Sequence, residues 1–238
     1  MTQKTNPLLG SATPEGKDVT FKSGSDDVAA YFARPSGAAA VPGVVVIHEN
    51  RGLVPYLRDV ADGLASHGYM AVAPDMLSRE GGTASISDIP PVLSEIPRER
   101  HVADAQAAVR FLQEQGATKI GIIGFCFGGG VVWRTAVSTP DVTAAVPFYG
   151  ANPPLEEVPN TKAAVFAVYG ELDERINAGM DDILKALKDA GITHEHKVYP
   201  GAAHAFHNHT NPPDRYNEAQ AKQAWSDALA WFDKHLKG

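Results

Sequence analysis

Cys126 is the only cysteine in the chain, and it stands in Gly124-Phe125-Cys126-Phe127-Gly128. The spacing G-x-C-x-G has the form of a nucleophile elbow with sulfur in place of oxygen. It follows the strand-like run KIGII and precedes the helix-like GVVWRTAVS, and its glycines leave room for strand and helix to approach in a tight turn. Such a turn projects the side chain at a helix N-terminus, where the backbone dipole favours a thiolate. The amide of Phe127 then faces a developing oxyanion. A lone cysteine beside glycines otherwise reads as a small buried hydrophobe, so a base and an acid in the right places must decide. Asp173, in YGELDER, follows the apolar run AAVFAVYG, and His204, in YPGAAHAFHN, follows HKVYP. His204 would take or hold the thiol proton, and Asp173 would fix its tautomer and stabilise the imidazolium. Alone, Asp173 reads as the cap of a helix beginning near Arg175, and His204 as one of nine histidines. With the elbow, three groups at strand ends form a nucleophile, a base and an orienting acid.

A second chemical loop is VVVIHENRGL, where His48, Glu49, Asn50 and Arg51 follow a buried-looking strand. An acid beside a thiol changes its proton affinity, which singles out Glu49. HAFHNH supplies His204, His207 and His209, with His194 and His196 nearby, so a metal must be weighed. Zinc needs at least three converging ligands, and neither a helical H-x-x-x-H nor a carboxylate at a recognisable spacing supports it, so no metal is expected. Tyr149, Trp133 and Phe206 are candidate crevice walls, or more simply core.

The elements that must position these groups follow from the hydrophobic pattern. VTFKS and VAAYFARP read as a hairpin; GVVVIHE, YMAVAPD, KIGIIGF, VTAAVPFYG and AAVFAVYG read as strands buried on both faces of a parallel sheet; THEHKVYP is more polar and reads as a strand near an edge. Between them Leu57, Val60, Ala61 and Leu64 share a helical face before Gly68. Val102, Ala105, Val109 and Leu112 do so before Gly116, and Ile176, Met180, Ile183 and Leu187 before Gly191. The tail places Trp225, Leu229, Phe232 and Leu236 on one stripe. The fold class is therefore α/β: an α/β-hydrolase fold, a doubly wound, mostly parallel sheet with flanking helices and its ligands at the carboxyl ends of the strands. The chain order of nucleophile, acid and histidine is the one that fold uses. In it the loop after the early strand supplies a second oxyanion amide, here assigned to Asn50 beside Phe127.

Length and composition set the frame: 238 residues with 44% hydrophobic content suit one large domain, expected over 17–238, behind a loosely held arm over 1–16. A net charge of −7 without a basic block argues against nucleic acid or an anionic membrane as partner. The N-terminus lacks the apolar core of a secretory signal and no run is long enough to span a bilayer, so a cytoplasmic protein is expected. A single cysteine excludes internal disulfides and multi-thiolate metal sites. Nothing indicates a dedicated interface, and a monomer is the default.

The motifs HENRG, APDMLSR, GFCFGG, GELD and PGAAHAF resemble the dienelactone hydrolases, or carboxymethylenebutenolidases, from about Gly43 to the C-terminal helix. The resemblance implies that Cys126, Asp173 and His204 form the triad and that Glu49 interacts with the resting thiol and assists its deprotonation when substrate binds. It implies that Arg79, in DMLSR, holds a substrate carboxylate; from its surroundings alone Arg79 reads as a solvated arginine in a long loop. Four residues after the histidine the family has a second arginine, whereas this chain has Asn208, and Arg51 stands as a substitute cation. The expected activity is hydrolysis of esters or lactones without a cofactor, on a small-molecule substrate. The alternatives are a general carboxylesterase of small activated esters and, from another class, a thiol redox or binding protein on the same scaffold. The lack of a second cysteine weighs against the last.

Overall fold

The computed structural model describes residues 6–37 and 40–238. Eight strands form one sheet: β1 (Pro14–Ser23), β2 (Asp26–Pro35), β3 (Gly43–Ile47), β4 (Met70–Pro74), β5 (Ile120–Phe125), β6 (Val142–Phe148), β7 (Ala164–Gly170) and β8 (His194–Tyr199), in the order β1-β2-β4-β3-β5-β6-β7-β8. β1 and β2 pair as an antiparallel hairpin that joins β4 antiparallel, and β4, β3, β5, β6, β7 and β8 run parallel.

The strands read as unbroken apolar runs because both faces are covered. Val44 and Val46 pack into one cluster with α1 (Pro55–Ser66) and α7 (Glu218–Phe232). Val45 and Ile47 pack into the other with α3 (Arg98–Glu114), α4 (Phe127–Ser138) and α6 (Met180–Asp189). This two-residue alternation is the side-chain period of a strand, and here neither face is left to water. The two edges are the exceptions: in β8 His194 to Val198 are only half-buried or exposed, and in β1 only Phe21 and Ser23 are buried. Gly68, Gly116 and Gly191, just past the ends of α1, α3 and α6, have φ of 90°, 89° and 67°, the left-handed stop a helix end favours.

Two local expectations change. The helix expected from Ile176 to Leu187 divides into α5 (Glu174–Asn177) and α6, with a break at Ala178–Gly179. The long loop after Arg79 contains α2 (Ile89–Glu95), which begins with prolines in its first turn, where their missing N–H groups cost nothing. Of the arm expected over 1–16, residues 1–5 lie outside the described residues. Leu8 is buried, its carbonyl accepts a hydrogen bond from Trp225 Nε1, and β1 begins at Pro14. Among the described residues no helix is long and apolar enough to cross a membrane.

Strand order decides where chemistry can occur. The chain winds outward from β3 to β4 on one side and to β5 on the other, so the loops after β3 and β5 part at the carboxyl end of the sheet and open a crevice between them. Those two loops carry Glu49–Asn50 and Cys126.

Candidate active site

Cys126 sits between β5 and α4 with φ 57° and ψ −114°, a conformation that costs a non-glycine residue about 1–3 kcal/mol. It persists because its surroundings fix it. The Cys126 amide donates to Phe148 O at 3.0 Å, and α4 starts hard against β3: a Cβ on Gly128 would stand 2.4 Å from Ile47 O. A Cβ on Gly124 would stand 2.5 Å from Gly128 O. Only glycine permits strand, turn and helix to close so tightly, and the thiol is projected from the corner as a result.

His204 lies in the loop after β8, followed by Ala205 at φ 63°. Its Nε2 is 2.9 Å from Cys126 Sγ and its Nδ1 is 2.5 Å from Asp173 Oδ2, so one imidazole bridges thiol and carboxylate. Asp173 is buried and occupies the position before α5, yet its side chain makes no capping bond; it turns to the histidine instead. Burial works against a charged imidazole, but the hydrogen bonds to Asp173 and Cys126 overcome it and raise the His204 pKa to about 9.

Phe127 is the first residue of α4, whose leading N–H groups lack acceptors within the helix, and Asn50 lies across the crevice from the loop after β3. Glu49 is buried. Its Oε2 accepts from Asn208 Nδ2 at 2.5 Å while Oε1 has no partner. Burial raises its pKa, against the opposing pull of Asn208, His204 and Arg51. His48, expected beside it as an ionisable crevice group, is a buried peg: its Nε2 accepts from the Met76 amide at 3.1 Å and its ring stacks on Phe127.

Three expectations on substrate binding meet different geometry. Arg79 does not reach the crevice. Its Nε donates to Asp26 at 2.6 Å, its Nη1 to buried Asp104 at 2.8 Å and its Nη2 to Ser23 O at 3.2 Å, so its charge is spent on joining the β1–β2 turn to α3. Asn208 is buried against Glu49 rather than presented to a ligand. Arg51 is exposed and outside the cavity lining. Among the neighbouring histidines, His207 Nδ1 bonds Tyr56 OH at 2.6 Å and His209 Nε2 lies 3.1 Å from Asp59. Among the described residues no group of three metal-ligating side chains converges.

The crevice is a cavity of about 450 Å³ whose lining includes Cys126, Asn50, Phe127 and Tyr149. Trp133 and Phe206 lie in the core instead. The far wall was not legible in the sequence: Leu93 of α2, Ile96, Arg98 and His101 of α3, Arg134 of α4 and Arg175 of α5 complete it. The available signals were slight, namely Arg98 and His101 one turn apart on α3 and one arginine, Arg134, in the otherwise apolar GGVVWRTAV.

Comparison with known proteins identifies the family and the fold. The dienelactone hydrolase family profile matches residues 28–236. A Salmonella typhimurium protein named "Putative carboxymethylenebutenolidase" is 33% identical over 94% of this chain and 90% of its own length. The crystal structure of a "Putative Dienelactone Hydrolase" from Klebsiella pneumoniae superposes with a TM-score of 0.86 at 30% identity, covering 93% of this chain and 99% of that one. Pyrococcus horikoshii acylaminoacyl peptidase, 18% identical, shares the fold at a TM-score of 0.76 over 95% of this chain and 42% of its own. The elbow at the switch point and the profile spanning nearly the whole sheet lead to one conclusion: the chain belongs to the dienelactone hydrolase family of the α/β-hydrolase superfamily and is a carboxymethylenebutenolidase-like hydrolase of lactones or esters.

Proposed function

We propose that the chain cleaves small carboxylic esters and lactones with Cys126 as nucleophile, His204 as base and Asp173 as its orienting acid, through an acyl thioester. The observation that carries this reading is the His204 imidazole held between Sγ at 2.9 Å and the Asp173 carboxylate at 2.5 Å, at the mouth of the only elbow motif in the sequence. His204, whose raised pKa favours its protonated form, holds the proton given up by the thiol while Sγ bonds to the carbonyl carbon. The amides of Asn50 and Phe127 receive the oxyanion, and collapse breaks the C–O bond, His204 returning the proton to the leaving oxygen. Water then adds to the thioester, giving a proton to His204, and the C–S bond breaks to free the acid and restore the thiol. In a lactone the leaving alcohol stays tethered to the acyl group and can share in these transfers. Glu49, buried with its Oε1 unpartnered, is the group we assign to assist deprotonation of the thiol when substrate binds.

No cofactor enters the cycle. A nucleophile that must remain reduced suits a cytoplasmic location, and a triad and cavity completed by one chain suit a monomer acting on small molecules rather than on nucleic acid or membrane. The test is turnover of p-nitrophenyl acetate and of a dienelactone by wild type, Cys126→Ser and His204→Ala. Turnover in wild type and its loss in both variants is expected. Variants that keep wild-type rates would refute the triad, and a wild type without turnover but with a peroxide-labile thiol would point to a redox protein.

A further inference from the structure

We propose that the α3–α4 wall of the cavity, through Arg98 and Arg134 with His101, binds an acidic arm of the substrate, and so sets specificity in place of Arg79. The inference rests on the hydrolytic reading above. The cavity wall carries three guanidinium groups, Arg98, Arg134 and Arg175, and no carboxylate, although the chain as a whole is at −7. None of the three forms an ion pair among the described residues, in contrast to Arg79, which is held by two aspartates. Arg134 is half-buried and its only bond is a long one from Nη1 to Gly130 O at 3.4 Å, within its own helix. Burial and the neighbouring charge of Arg98 lower the Arg134 pKa against the weaker pull of Glu157 and Glu99, which stand outside this cavity but border a second hollow together with Arg98 and Arg134. Arg98, Arg134 and Arg175 bring three like charges to the lining of one cavity that has no carboxylate in its own wall, which makes that cavity a receptor for an anion.

Neighbouring groups fit the same use. His101 lies one turn along α3 from Arg98, is 3% exposed, has a buried Nε2 without a partner, and stands edge-on to Phe127 at 4.8 Å. Burial, then Arg100 and His48, lower its pKa to about 4, so at neutral pH it is an uncharged imidazole that can donate one N–H. On α4, Phe127, Gly130, Val131 and Arg134 recur at helical spacing along the lining. Seven residues rise on the order of 10 Å, so an acid bound at Arg134 is separated from a carbonyl at Cys126 by a chain of several bonds.

The measurement compares p-nitrophenyl hydrogen adipate, whose free carboxylate lies at that reach, with uncharged p-nitrophenyl hexanoate. Arg134→Gln and Arg98→Gln are each expected to lower kcat/KM for the adipate ester about tenfold or more, the range of a hydrogen bond to a charged group, with the hexanoate ester changed less than about twofold. In calorimetry adipate dianion should bind wild type, and more weakly by a similar factor to both variants. An adipate-to-hexanoate ratio unchanged in both variants would overturn the proposal. Wild type that cleaves neither ester refutes the hydrolytic reading instead, and adipate binding that Arg98→Gln and Arg134→Gln leave unweakened would then overturn the subsite.

Discussion

Gly128→Ala separates catalysis from folding. An added Cβ would lie 2.4 Å from Ile47 O and 2.6 Å from His48 O, where ordinary contact begins at 3.4 Å. Both contacts are backbone and cannot swing aside, so the start of α4 must withdraw from β3 by about 1 Å. That movement carries the Phe127 amide and the Cys126 corner away from the loop bearing Asn50. Misplacement of this size costs reactions on the order of 100-fold, so kcat for p-nitrophenyl hexanoate should fall by about that factor. Overpacking of this kind costs about 1–3 kcal/mol, and at roughly 2–4 °C per kcal/mol for a domain of this size Tm should fall by about 2–12 °C. Gly130→Ala is the folding control: its nearest neighbour would be Ala151 O at 3.5 Å, and helix propensity favours alanine, so Tm should hold or rise. Steady-state kinetics and circular-dichroism melting check both. A folded Gly128→Ala enzyme with kcat within about threefold of wild type would refute the claim that this glycine sets the position of the thiol.

Two further outcomes follow from side chains already placed. His204 is raised to about 9 in the folded chain against an ordinary 6.5, so its stabilising contribution is complete below about pH 6.5 and is lost as pH rises through 9. Reduced for its partial exposure, this is about 1–3 kcal/mol, and urea unfolding at pH 6.5 and 9.5 should show the difference in wild type and not in His204→Gln. Arg79→Gln strands buried Asp104 without its cation and should cost about 3–5 kcal/mol, seen as a Tm drop that Asp104→Asn partly restores in the double variant; its adipate-to-hexanoate ratio should match wild type.

The parts legible in the sequence are those that backbone geometry forces. β3 and β5 are unmistakable because both faces of each are covered, and the bend at Cys126 because only glycines tolerate the approach of α4. Asp173 and His204 could be chosen from many acids and nine histidines because each follows a strand that had to end at the same rim. The direction of a long side chain is another matter. Arg79 is claimed by Asp26 and Asp104, 53 and 25 residues away, and nothing near it in sequence announces them. Arg98 and Arg134 share a cavity only because α3 packs on α4, while Asn208 is drawn inward by Glu49, 159 residues earlier. His48 has the residue type and position of a reactive group, but ring stacking and bonds to the Met76 amide and the Glu49 carbonyl use it as a support.

The polar character of β8 bears on how molecules meet at high concentration. A sheet of this order has two open sides, and the parallel one would be a template for a strand from another molecule were it flat and apolar. His194, Glu195, His196 and Lys197 deny it that surface, and Lys197 is further anchored to Asp227 at 2.7 Å, above the ring of Tyr199. Such gatekeeping leaves the border wet and costly to strip, which disfavours edge-to-edge growth into aggregates on this side.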